Sequence, residues 1–260
     1  MKSCKITFTV SLFVLTFFYG CGSTPELIST TANNIVIDGE ASDWGSNLKY
    51  LPDEKVAVGV SNDNNYFYLC LTTSDLGKVI PMFREGFIVW LGNEKNDSTL
   101  GIKYPLHNIV NEASMMINPD ADRVRERGMM LKKMMSDQNE IRILNKDKFP
   151  VTAISTSDSS GLTARIGYNN DQFVYELRVP FKNYNNDKSG ISGAPGDKIA
   201  VTFETEKRER KNIGGEREGG MMSPGGMGRG PGGSYRGGMG SGGERMSFEP
   251  INFSVEVTLK

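Results

Sequence analysis

Ile37-Asp38-Gly39, then Asp43-Trp44, then Asn62-Asp63-Asn64-Asn65-Tyr66-Phe67-Tyr68-Leu69 follow in close succession along the 260-residue chain. The first group reads as a short strand ending in an Asp-Gly turn, and the second as an aromatic anchor. The third reads as a hairpin whose Asn/Asp-rich turn feeds a strongly apolar strand. Three such signals in this order describe a β-sheet protein.

Periodicity beyond this stretch agrees. Val56, Val58 and Val60 alternate with small or polar residues. Phe173, Tyr175, Leu177 and Val179 set an apolar face against Glu176 and Arg178, and Phe253, Val255, Val257 and Leu259 alternate strictly with polar residues up to Lys260. Period-two patterning of this kind predicts half-buried strands. Tyr66–Leu71 and Phe87–Leu91 are apolar on both faces and read as central strands. Further strands are expected at Gly101–Tyr104, Ile141–Leu144, Val151–Thr156, Leu162–Tyr168 and Lys198–Thr205. Many short strands with turn residues between them predict an all-β fold, an antiparallel β-sandwich of immunoglobulin-like or jelly-roll type. Burying Trp44, Phe67, Phe87, Trp90 and Phe173 at about 1.5–3 kcal/mol each supports one core and one domain, residues 35–260.

Two stretches break the pattern. From Asp120 to Met135 the sequence is predicted to form one short amphipathic helix, with Val124, Leu131 and Met135 on one face. Asp120 and Asp122 near its start and Lys132 and Lys133 near its end suit the helix dipole. Residues 206–247 are dominated by glycine, with Met, Arg, Ser and Pro between. This composition packs no core and predicts a long flexible insertion before the last strand.

At the other end, Lys2 and Lys5 precede an apolar run from Ile6 to Phe18 that is short of the about 20 residues a bilayer-spanning helix needs, so residues 1–20 read as a signal peptide. Phe18-Tyr19-Gly20-Cys21 resembles a lipobox, which makes Cys21 the lipidation site and residues 21–34 a lipidated cysteine plus linker. The chain is then expected at the bacterial cell envelope, anchored to a membrane on its periplasmic side or at the cell surface. No acidic cluster follows Cys21, which tilts toward the periplasmic side. Cys70 alone remains in the folded part, inside an apolar strand, where a packing thiol is the expected outcome. The formal net charge is −1, and −3 without Lys2 and Lys5, which offers no field for nucleic acid.

With Gly86-Phe87-Ile88-Val89-Trp90-Leu91-Gly92-Asn93, the strand Gln172–Phe181 bearing Glu176 and Pro180, the run Pro195–Val201, and Ile251–Lys260 added to the opening motifs, the chain resembles the family 9 carbohydrate-binding modules and their DOMON-like relatives. The resemblance implies an extracytoplasmic β-sandwich in which Asp38, Gly39, Asp43, Trp44, Trp90 and Glu176 are positions of the fold motif. It also implies a carbohydrate ligand. Family members that bind sugar stack tryptophans on a pyranose ring. Here the sequence departs: Pro81-Met82-Phe83-Arg84 stands where one platform is expected. The glycine-rich insertion, whose one aromatic is Tyr235, stands where the other is expected. Phe83 and Tyr235 are the candidate substitutes, with Tyr50, Arg84 and Glu85 as further surface candidates.

No zinc motif, nucleophile elbow, phosphate loop or triad is present, and His107 is the single histidine, so a non-catalytic protein without cofactor or metal is expected. The leading function is glycan or related ligand binding by a tethered lipoprotein. The alternative is a structural or protein-interaction lipoprotein, with an envelope protein as partner, that has lost the sugar site. A third reading takes the methionine pairs as copper(I) ligands. Its bland counterpart takes those in the helix as core filling.

Overall fold

A computed structural model describes residues 24–32, 34–93, 98–107, 123–157, 161–182, 190–206 and 248–260. The signal peptide, Cys21, Tyr235 and nearly all of the glycine-rich insertion lie outside these residues.

The strands are β1 (Glu26–Ile28), β2 (Thr30–Thr31), β3 (Leu48–Leu51), β4 (Val56–Asn62), β5 (Tyr66–Thr73), β6 (Phe87–Asn93), β7 (Ser98–Lys103), β8 (Glu140–Leu144), β9 (Pro150–Ser155), β10 (Thr163–Asn169), β11 (Gln172–Pro180), β12 (Lys198–Thr205) and β13 (Asn252–Thr258). The helices are α1 (Leu76–Glu85) and α2 (Arg123–Ser136). One sheet runs β1-β13-β12-β6-β7-β8-β9 and the other β10-β11-β5-β4-β2, with β3 also paired to β4. Their inner faces form one buried cluster. Val58, Leu69, Leu71, Tyr175 and Leu177 of the smaller sheet meet Phe87, Val89, Val201, Phe203 and Val255 of the larger. Phe87 and Tyr175 touch across the layers edge to face at 5.3 Å. The β-sandwich read from the alternation is the observed architecture, down to β12, whose limits match the expected Lys198–Thr205.

Three local readings need correction. Ile37-Asp38-Gly39 is not a strand but a bend in a covering segment. Part of the expected linker at 21–34 forms β1 and β2, which pair in parallel with β13 and β4. The chain crosses between sheets at Ser29, whose hydroxyl donates to Asn62 Oδ1 and accepts from the Lys260 N–H at 3.0 Å. Third, there are two α-helices among the described residues where one was expected. In α1, Val79, Met82 and Phe83 are buried in the core cluster, Asp75 Oδ1 accepts the Gly77 N–H at 2.9 Å, and Gly86 at φ +98 ends the helix. Pro81 obscures this helix in the sequence, although Leu76, Val79, Ile80 and Phe83 have helical spacing.

α2 buries Leu131 and Met134, with Met130 and Met135 packed alongside, while residues 120–122 of its expected span lie outside the described residues. These methionines fill the core. The two flanks of the glycine-rich insertion meet: the Thr205 N–H donates to Ile251 O at 2.7 Å and the Ile251 N–H to Thr205 Oγ1 at 3.0 Å.

Candidate functional site

Gly59 of β4, Cys70 of β5 and Glu176 of β11 stand side by side on the outer face of the smaller sheet. A side chain at Gly59 would collide with Trp44, since its Cβ would lie 2.8 Å from Trp44 Cε3. The glycine thus lets the indole lie against the strands. Trp44 is fully buried, and its Nε1–H donates to Glu176 Oε1 at 2.7 Å. Glu176 Oε2 accepts the backbone N–H groups of Asp38 at 3.0 Å and Gly39 at 2.6 Å. Asp38 Oδ1 accepts the Glu40 N–H, and Asp43 Oδ2 accepts the Val36 N–H, which shapes the covering segment above the indole. Asp38, Gly39 and Trp44 therefore meet at the buried Glu176 carboxylate, Asp43 braces the segment above them, and the remaining motif position, Trp90, lies on the opposite sheet.

Burial raises the Glu176 carboxyl above its usual range, against the opposing effect of the three N–H donors. Burial also pushes the Cys70 thiol well up, with the Glu176 charge adding to it. An inert packing thiol results.

The chain is similar to family 9 carbohydrate-binding modules. One is the module from Caldicellulosiruptor kristjanssonii in complex with glucose, at 10% identity and a TM-score of 0.41, covering 90% of this chain and 95% of that one. The same organism's module in complex with cellotriose gives 11% identity and a TM-score of 0.38, covering 90% and 93%. A candidate carbohydrate-binding protein from Bacteroides uniformis ATCC 8492 gives 7% identity and a TM-score of 0.41, covering 92% and 100%. No family model and no curated protein matches the sequence.

The candidate ligand residues are scattered. Phe83 presents no aromatic face to solvent: it is fully buried and meets Phe173 edge to face at 5.9 Å, because it lies on the inward side of α1. Arg84 and Glu85 pair with each other at 2.8 Å at the end of the same helix, and the Arg84 guanidinium lies 5.4 Å from the centre of the Phe248 ring. His107 Nδ1 contacts the Arg84 carbonyl oxygen.

Tyr50 is different: it is 60% exposed and lines an open groove of about 440 Å³ on the outer face of the smaller sheet. The floor follows from strand register, which places Tyr50, Ala57 and Thr72 side by side on β3, β4 and β5. Ala57 keeps the floor low beside the tyrosine ring. Gln172 Nε2 donates to Thr72 Oγ1 at 3.3 Å, and the end wall is the polar group Lys55, Thr73, Ser74 and Asp75. Thr73 Oγ1 donates to the Lys55 carbonyl at 2.9 Å and accepts the Asp75 N–H at 3.1 Å, which sets this wall. Lys55 lies 3.8 Å from both Asp75 and Glu249, so its charge is compensated. Sequence reasoning missed Lys55, Thr72, Asp75 and Gln172. The outward parity of Ala57 and Thr72 was readable, but their placement beside Tyr50 depends on pairing between strands.

Proposed function

We propose that this protein is a non-catalytic glycan-binding module, tethered through lipidated Cys21 to a bacterial envelope membrane, and that its ligand is held in the groove beside Tyr50. The observation that carries the reading is an exposed aromatic ring next to a shallow, charge-compensated floor. Ser74, Asp75 and Gln172 supply donors and acceptors there for sugar hydroxyls. An apolar platform combined with a few fixed polar groups is the chemistry a saccharide requires. The resemblance of the Ile37–Trp44 and Gln172–Phe181 motifs to sugar-binding modules supports the ligand class.

The test is a glycan array with the purified protein, repeated with Tyr50→Ala. Retention of a saccharide that Tyr50→Ala abolishes supports the reading, and no retention of any saccharide overturns it. For the tether, Cys21→Ser is expected to release the protein from membranes.

A second reading, a protein-interaction lipoprotein, is favoured by β9. It is an edge strand of the larger sheet, and Phe149 and Val151 beside or on it are 68% and 63% exposed. Such an edge accepts an added strand. Pull-down of an envelope protein by the wild type, lost on Val151→Lys, together with an empty glycan array, would favour this reading.

A further inference from the structure

The two tryptophans of the chain occupy matching settings on opposite sheets. Each lies over a glycine, Trp44 over Gly59 and Trp90 over Gly101, and each donates its Nε1–H to a glutamate. The distances are 2.7 Å from Trp44 to Glu176 and 3.0 Å from Trp90 to Glu204. At Gly101 a Cβ would lie within 2.8 Å of Cζ3, Cε3 and Cη2 of Trp90. Three neighbouring carbons of the six-membered ring at such similar distances mean that the ring lies face-on over the glycine.

The two settings differ in what lies above them. Ile35, Ile37, Ala41 and Leu48 pack into the cluster over Trp44, which is fully buried. Trp90 belongs to neither hydrophobic cluster among the described residues and stays partly exposed. One face of its indole is thus spent on Gly101 and its polar edge on Glu204, while part of its surface reaches solvent. Thr202 and Ser254 continue the row from Trp90 across β12 and β13, about 4.8 Å apart per strand. Their hydroxyl oxygens are 2.7 Å from each other. Lys148 Nζ donates to Glu204 Oε1 at 2.6 Å, which balances the carboxylate charge at the platform's edge.

We infer that Trp90, with Glu204, Thr202 and Ser254, is a second saccharide platform on the outer face of the larger sheet, and that it takes a neutral, pyranose-based oligosaccharide. The indole offers a flat apolar surface to the C–H face of a sugar ring, and the hydroxyls and carboxylate beside it meet the ring's own hydroxyls. With Glu204 paired to Lys148, the platform has no net positive charge to draw an anionic sugar. This site shares its ligand class with the groove beside Tyr50 but none of its residues, so a protein carrying both engages two saccharide segments at once.

Acrylamide quenching of tryptophan emission tests this, because Trp44 is sealed and Trp90 is the accessible fluorophore. The purified protein is titrated with cellohexaose, xylohexaose, mannohexaose and chitohexaose, and binding is measured in parallel by calorimetry. At least one hexasaccharide is expected to protect Trp90 from quenching. Trp90→Ala is expected to lower its calorimetric affinity at least about tenfold. Ser254→Arg leaves Trp90 and Gly101 in place and obstructs the row, so it is expected to abolish the same protection in a protein that melts like the wild type. Tyr50→Ala should leave the protection intact.

Quenching unchanged by every hexasaccharide overturns the inference, as does binding that survives both Trp90→Ala and Ser254→Arg. If that surviving binding disappears in Tyr50→Ala, the groove stands alone. Binding lost in Trp90→Ala and kept in Tyr50→Ala supports the platform and removes the groove.

Discussion

The backbone N–H of Glu249 donates at 3.2 Å to the carbonyl of Gly77, the acceptor that Pro81, lacking an N–H, leaves without its helical partner. A proline inside a helix normally forfeits this bond. Here a residue brought in from beyond the glycine-rich insertion replaces it, and its side chain lies 3.8 Å from both Lys55 and Lys78.

Glu249→Ala keeps the N–H but removes an exposed ion pair with Lys55 and the partner of the buried Lys78, so it is expected to cost about 1–2 kcal/mol. Glu249→Pro removes the N–H and is expected to cost about 1–3 kcal/mol more. Urea unfolding of the two variants compares them, and equal midpoints would show that the Gly77 carbonyl gains nothing from Glu249.

Trp44→Phe deletes the Nε1–H that Glu176 accepts and leaves a gap over Gly59. The expected loss is about 3 kcal/mol or more, combining a charge-assisted hydrogen bond with a cavity. Glu176→Gln turns an amide N–H toward donors and is expected to cost about 1.5–3 kcal/mol. Unaltered denaturation midpoints in either variant would show that the hydrogen bonds of Glu176 to Trp44, Asp38 and Gly39 do not stabilise this fold.

The same carboxylate makes stability depend on pH. Its folded pKa lies above the ordinary 4.5, chiefly through desolvation, so the folded state holds the proton more tightly than the unfolded chain. That contribution is complete below the unfolded value and is lost as pH rises through the folded one. The stability of wild type relative to Glu176→Gln should therefore decline from pH 4 to pH 7. Denaturation midpoints measured along that series check the sign, and a gap that widens with pH would contradict it.

Gly39 adopts φ +90, and a Cβ there would lie 2.9 Å from the Ile166 carbonyl oxygen. Gly39→Ala is expected to cost about 1–3 kcal/mol through backbone strain alone. A melting temperature equal to wild type would show that the bend relaxes without penalty.

Strand parity made the sandwich legible because each strand carries its own record of which side is wet. Val56, Val58 and Val60 declare an inner face whatever they pair with. The helix at Leu76–Glu85 was hidden because Pro81 signals a break. The sequence alone does not show that a distant N–H supplies the missing bond. β1 and β2 are too short for any alternation to emerge. The groove was legible only at Tyr50: Thr72 and Gln172 are ordinary strand residues until register sets them beside it. Trp90 reads as a core aromatic by composition, but parity opposite to Phe87, Val89 and Leu91 puts it on the outer face, where Gly101 gives the ring a flat seat.

Glu26–Ile28 is zipped in parallel to Glu256–Thr258, so the larger sheet acquires its β1 edge from residues made at widely separated times. Synthesis from the N-terminus delivers Leu27 long before Val257 exists, and closure waits on that late arrival. A chain stalled in between bears raw, unpaired strand borders, which invite pairing with other chains until the last strand closes them.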